Sequence, residues 1–327
     1  MKRFNFVHLV FSFFFCSLLL MYGCNNDNNG ITPSPQGITE LHTNGTFVAN
    51  SPSQIQGTLF INDQNGNPIV GVTSQNVTAR LNWNNPLDTG VSLGTVIIIN
   101  NNQTGGNVAG AVTMDYSGSM TSQQISCMEN GVITYIDSMK TNDITEIIKF
   151  SSTVAVVQPF TSDKTLLRNA VTGSYSGGGS TALYSSIYKG IQDVIPQASN
   201  LVKAVVAFTD GEENYSTITR SQLISYALTN GIPVYTVGLL SDTTSSASKD
   251  LKNIADTSGA FYFWKNPNNC SNLYQIYATI SGQLAGSYGL TVNWQGNLPP
   301  TGTTVWATLT TNYANLSSSF TRSYILP

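Results

Sequence analysis

The chain has 327 residues, of which 41% are apolar and only 9% charged, with 14 Lys plus Arg against 17 Asp plus Glu and a formal net charge of -3. The apolar share is enough for a core. The charged share lies far below the usual quarter, with Asn, Ser, Thr and Gly in the surface role, and this suits an exported β-rich protein better than a cytosolic enzyme. No run of Lys and Arg is present, so the electrostatic footprint of a nucleic-acid binder is missing.

At the start, Lys2 and Arg3 precede a long apolar stretch, Phe6 to Leu20, followed by Met21-Tyr22-Gly23-Cys24. A basic start, an apolar stretch and a small residue before Cys resembles a bacterial lipoprotein signal. It departs from that pattern at Met21, where Leu is usual, and at bulky Tyr22. The resemblance implies that residues 1–23 are a signal peptide, that Cys24 is the lipidated first residue, and that the chain is anchored in a bacterial cell envelope, at the outer membrane. An uncleaved membrane anchor is the alternative, with an apolar stretch short against the ~20 residues of a spanning helix. Residues 24–46 are polar, contain Pro33 and Pro35, and read as a flexible spacer.

Residues 47–105 alternate apolar runs with turn signals. Thr58 to Asp63, Val77 to Trp83 and Thr95 to Asn100 read as strands; Asp63 to Pro68 and Asn82 to Pro86 read as turns. From residue 106 to 286 the pattern changes to strand–helix alternation, the signature of a mostly parallel sheet with helices on both faces. Strands are expected at Val108 to Met114, Ile144 to Phe150, Val154 to Val157, Val202 to Phe208, Ile232 to Leu239 and Ala260 to Trp264. Helices are expected at about Thr121 to Met139, Lys164 to Val171, Ala182 to Ile195, Arg220 to Leu228, Ser248 to Asp256 and Ser271 to Leu284. Residues 287–327 return to strands, at Tyr288 to Trp294, Thr304 to Thr311 and Ser319 to Leu326. The fold class is therefore α/β, flanked by β-sandwich-like segments. The flanks are expected to pair with each other around the inserted domain; two separate β appendages are the alternative, because short strand sets alone are marginal.

Ligands of open α/β sheets bind beyond the carboxyl ends of the strands, and three such ends carry oxygen donors here. Asp115, Ser117 and Ser119 leave the first strand at alternate positions. Thr181 follows the glycine-rich loop Ser176 to Ser180 and opens a helix. Asp210 follows the apolar strand Val202 to Phe208. Two carboxylates and three hydroxyls are hard donors that suit Mg2+. Taken alone, the Asp115 motif reads better as a helix cap.

In that order and between elements of those types, these motifs resemble the metal-ion-dependent adhesion site of the von Willebrand factor A domain, which the integrin inserted domains share. The resemblance covers about Val108 to Gly286, and all five positions are filled, with Ser180 an alternative to Thr181. It implies a Rossmann-like domain that binds Mg2+, with Mn2+ or Ca2+ as substitutes. Ser117 and Ser119 would bind directly, Thr181 directly or through water, and Asp115 and Asp210 largely through water. It implies a protein partner whose Asp or Glu completes the shell, rather than an enzyme with a small-molecule substrate. It also makes the first and last helices neighbours, which brings Cys127 and Cys270 within reach of a disulfide; two free thiols are the alternative.

The leading expectation is thus an adhesive envelope lipoprotein; a structural or assembly role without adhesion, and a metal-assisted hydrolase, are the competing ones. His8 falls in the signal and His42 in the spacer, so histidine catalysis or zinc ligation in the α/β domain is excluded. Glu212 and Glu213 read as solvated loop acids. Tyr116 is placed at the rim, as a partner contact or as packing.

Overall fold

A computed structural model describes residues 37–83, 92–102, 106–266 and 273–327. The expected signal segment, Cys24 and Cys270 lie outside the described residues. In chain order the elements are β1 (Leu41–Ser51), β2 (Gln54–Asp63), β3 (Val77–Asn82), β4 (Ser92–Asn100), β5 (Asn107–Asp115), α1 (Ser122–Ser138), β6 (Ile144–Phe150), β7 (Val154–Thr161), α2 (Lys164–Thr172), α3 (Leu183–Val194), β8 (Leu201–Thr209), α4 (Arg220–Asn230), β9 (Val234–Leu239), α5 (Ser246–Ser258), β10 (Tyr262–Lys265), α6 (Leu273–Ala285), β11 (Tyr288–Trp294), β12 (Thr304–Tyr313) and β13 (Leu316–Ile325).

Strands β5 to β10 form one six-stranded sheet in the order β10-β9-β8-β5-β6-β7. It is parallel apart from β7, which runs antiparallel to β6. Its central strand β5 is buried along almost its whole length, which is why Val108 to Met114 is a continuous apolar run rather than an alternating one. Met128, Val132 and Ile136 of α1, Leu167 and Val171 of α2, and Leu273, Tyr277 and Ile280 of α6 fill the core on one face. Leu183, Ile187 and Ile191 of α3, Leu223 and Ala227 of α4, and Leu251 and Ile254 of α5 fill it on the other. Local chemistry sets the helix ends. Thr121 and Gln124 form a reciprocal capping box that starts α1, and Gly231, at φ +64°, terminates α4 in the left-handed conformation.

The remaining strands make a second, antiparallel sheet in the order β1-β2-β11-β4-β3-β12-β13. The two flanks of the α/β region interleave in it: β11 lies between β2 and β4, and β12 pairs with β3. Its inner face, alternating strictly along β11, encloses a separate core built on Ile55, Leu59, Leu81, Val292 and Leu309. Phe60 crosses from this sheet into the α/β core, where it meets Tyr235 and Phe261 edge-on at centroid distances of 5.8 and 6.4 Å.

The spacer expected up to residue 46 ends sooner, because β1 already begins at Leu41. Its polar residues are buried by partners that a linear reading does not reveal. Asn44 Nδ2 donates to the carbonyls of Ala260 and Asp256, at 2.8 and 3.3 Å, and Asn44 Oδ1 accepts from Arg322 Nη2 at 2.5 Å. Gly45 and Gly57 let the β1–β2 pair approach closely: a Cβ on Gly57 would stand 1.8 Å from the carbonyl oxygen of Thr46. Among the described residues, no helix is long and apolar enough to cross a membrane.

Candidate metal centre at the carboxyl end of the parallel sheet

β5 and β8 are neighbours in register, Met114 opposite Phe208, so Asp115 and the Thr209-Asp210 pair emerge side by side. After β5 the chain turns to β6 on one side of the sheet, whereas β8 lies on the other. The strand order reverses between them, and the helices that follow leave to opposite faces, which opens a crevice at this point.

Asp115 is fully buried. Its Oδ1 accepts from the Ser117 amide at 2.7 Å and its Oδ2 from Thr209 Oγ1 at 2.6 Å. Burial pushes its carboxyl up to about 6, against the opposing pull of those bonds; the nearby Asp210 adds to the rise. Ser117 Oγ lies 3.2 Å from Ser119 Oγ, which in turn donates to Asp210 Oδ1 at 2.7 Å. Burial likewise raises the Asp210 carboxyl. Thr181 is brought to the same place: a Cβ on Gly211 would lie 3.2 Å from Ser119 Oγ and 3.8 Å from Thr181 Oγ1. Thus Asp115, Ser117, Ser119, Thr181 and Asp210 all gather at one end of the sheet, drawn from three loops.

The glycines of the Ser176–Ser180 loop serve close approach. Gly118 N donates to Gly179 O at 3.0 Å and Gly178 N to Tyr116 O at 2.7 Å. Gly178 and Gly179 stand at φ +100° and +73°. A Cβ on Gly177 would meet Tyr116 O at 2.2 Å, so the loop seats directly on the turn that bears the serines. Of the two adjacent hydroxyl residues, Thr181 is the one whose hydroxyl faces Gly211, while Ser180 N is tied to Ser152 Oγ at 3.0 Å.

Tyr116 packs beneath the site instead of projecting from it. It is buried, its hydroxyl donates to Glu129 Oε1 at 2.8 Å, and its ring lies 5.3 Å from that of Tyr175. Glu212 is exposed, but Glu213 is not a solvated acid. Its oxygens accept from the amides of Tyr184, Tyr215 and Ser216 and from the Ser216 hydroxyl, at 2.6 to 2.8 Å. Thr209, Glu213 and Asn214 support the candidate site by bonds to Asp115, Tyr184 and Thr181, and the motif alone misses them. Thr209 had a signal, a polar residue ending an apolar strand; the other two had none. Cys127, on α1, is disulfide-bonded, and its partner lies outside the described residues.

Among the described residues, no three His, Cys, Asp or Glu side chains cluster as a metal cage. The donor set here is of another kind, two carboxylates with three neutral hydroxyls, all hard oxygens. It fits a Mg2+-like ion that keeps part of its water, not a zinc or a redox metal. Beside it, Gly211, Glu212, Glu213, Tyr184, Arg220 and Asp250 line a shallow polar pocket of about 180 Å³. A larger groove of about 640 Å³, between β1, β13 and α4, contains none of the five donors.

Residues 111–276 match the family model of the von Willebrand factor type A domain. A curated relative, inter-alpha-trypsin inhibitor heavy chain H1 of Sus scrofa, is 27% identical over 139 residues, covering 38% of this chain and only 15% of the relative. Among solved structures, a von Willebrand factor type A protein from Catenulispora acidiphila is similar at 10% identity and a TM-score of 0.49, over 88% of this chain and 72% of that one. Manganese-loaded TRAP protein of Plasmodium vivax is similar at 14% identity and a TM-score of 0.44, over 71% of this chain and 97% of that one.

Proposed function

The chain belongs to the von Willebrand factor type A family, whose domains commonly mediate metal-dependent protein interactions, and from that premise we propose that it is a cell-envelope lipoprotein presenting a metal-ion-dependent adhesion site. In this reading Asp115, Ser117, Ser119, Thr181 and Asp210 hold Mg2+, or Mn2+ or Ca2+ in its place. When bound, the cation supplies an electrophilic centre for an Asp or Glu of a partner protein. Cys24 carries the lipid, residues 106–286 form the binding domain, and Cys127 is bridged to Cys270.

The observation that carries the reading is the convergence of the Ser117–Ser119–Asp210 chain of hydroxyls and carboxylate beside Gly211, where the Ser119 and Thr181 hydroxyls would stand 3.2 and 3.8 Å from a Cβ. Asp115 does not face outward. It acts from behind, fixing the Ser117 amide with one oxygen and meeting Thr209 with the other. The chain's own residues thus offer three neutral hydroxyls and the Asp210 carboxylate, with the buried Asp115 behind, a set of oxygens that a strong external oxygen donor such as a partner carboxylate would complete. No histidine lies beyond His42, which weighs toward a binding module and against acid–base chemistry.

The test is capture of envelope and matrix proteins by the full chain, with Mg2+ and with EDTA, using wild type and Asp115→Ala. Capture is expected only for wild type with Mg2+. Equal capture under all four conditions removes the cation from the mechanism.

A further inference from the structure

α3 follows directly on Thr181, yet its N-cap residue, Ala182, has no side chain able to accept a hydrogen bond and supplies no cap. The first N–H groups of a helix need acceptors. Here they find them on another loop, some thirty residues away in sequence. Asn214 Oδ1 accepts from Thr181 N at 2.8 Å, Glu213 Oε2 from Tyr184 N at 2.8 Å, and Ser216 Oγ from Ser185 N at 2.9 Å. Asn214 closes a two-point clamp, since its own amide donates to Thr181 O at 3.1 Å. Glu213 is itself fixed in place by the amides of Tyr215 and Ser216, at 2.7 and 2.6 Å.

We propose, on the footing of the metal reading above, that Asn214 is a positioning residue for the site: its two bonds to Thr181 lock that residue to the Asp210 loop, so that the two donors move as one body, while Glu213 and Ser216 form a remote cap on α3 itself. The cap spans the two loops that face each other across the cation position. Asp210 is four residues before Asn214, and Thr181 is the residue Asn214 grips on both its N–H and its C=O. Without the clamp, α3 would keep its packing through Leu183 and Ile187, but Thr181, which precedes the N-cap Ala182 and lies outside the helix, would lose the side-chain acceptor that holds its N–H, and the start of α3 beside it would fray. Asn214 is exposed, so removing its side chain opens no cavity in the core.

The experiment uses the detergent-solubilised full chain and the metal alone. Mg2+ affinity is measured calorimetrically, and hydrogen exchange is followed over residues 181–185. Asn214→Ala is expected to speed exchange there and to weaken Mg2+ binding about fivefold, the factor that a lost cap of ordinary strength represents. Asn214→Asp keeps the acceptor for Thr181 N and should restore the affinity. Ser216→Ala removes a cap bond further from Thr181; it should lower the melting temperature comparably and leave Mg2+ affinity unchanged. Faster exchange in Asn214→Ala with wild-type affinity overturns the positioning role alone. A wild-type chain that binds no Mg2+ overturns the metal reading and the positioning role together. Equal loss of affinity in Asn214→Ala and Ser216→Ala reduces the cap to general stability and overturns the specific claim.

Discussion

A carboxyl with no exposed surface resists ionisation, and Asp115 has none. Burial holds it at about 6 in the cation-free protein, whereas the unfolded chain releases that proton near 4. The folded state therefore binds more protons between those values, and stability falls as pH rises through that window. Over the whole shift the charge costs about 3 kcal/mol. A cation reverses the preference, because it favours the ionised form. In EDTA, wild type should lose melting temperature between about pH 4 and pH 6 relative to Asp115→Asn. The rise in melting temperature produced by Mg2+ should be large near pH 7 and small near pH 5. An equal rise at both would show that protons and cation do not compete at Asp115. That Asp115, Ser117, Ser119, Thr181 and Asp210 gather at one end of the sheet was legible in the sequence, because the motifs follow strands or a glycine-rich loop in order. Asn214 was not, because a hydrogen-bond partner contributed by another loop leaves no period or spacing to read, and Thr209 was marked only as a polar residue that ends an apolar strand.

At the scale of elements, the two ends of α3 are held in different ways. Its start depends on the remote cap. Toward its end, Asp193 faces Glu146 of β6, a side chain only 4% exposed, and Lys189 Nζ reaches both Asp193 oxygens at 2.6 and 2.5 Å. Burial first, and Asp193 next, push the Glu146 carboxyl up to about 8, with Lys189 opposing. Its folded value lies above its unfolded one, so the stability it permits at low pH is lost as pH rises toward 8. Glu146→Gln should be more stable than wild type near pH 8 and indistinguishable from it near pH 5, as denaturant midpoints would show. A midpoint difference independent of pH would mean that Glu146 does not titrate in this way. The helices and parallel strands were readable because their apolar periods follow the geometry of burial. β1 was not, since its buried positions include Thr43, Asn44 and Thr46, and the bonds that satisfy Asn44 come from Arg322, α5 and the turn before β10.

At the scale of the molecule, the antiparallel sheet depends on strands from both ends of the described chain. β11 forms its middle, joined to β2 on one side and β4 on the other. Truncation after Ala285 should therefore abolish hydrogen-exchange protection of residues 54–63 and 92–100. Protection that survives the truncation would show that residues 47–105 fold independently of the C-terminal strands.

The chain enters the α/β region from β4 and leaves it into β11, and these two strands are hydrogen-bonded partners, with Asn101 N donating to Ser287 O at 2.9 Å where they part. The candidate cation site lies at the opposite end of β5, about 25 Å away along a nine-residue strand. Any tension applied at that tip reaches the antiparallel sheet through both strands at once and in the same direction. It does not pull β4 and β11 apart; it tries to slide the pair, as a unit, past β2 and β3. The load then falls on many ladder bonds together rather than on one after another. The region is thus joined by two covalent strands and, beside them, by the contacts of Phe60, Asn44 and Arg322, an attachment that resists shear across its width.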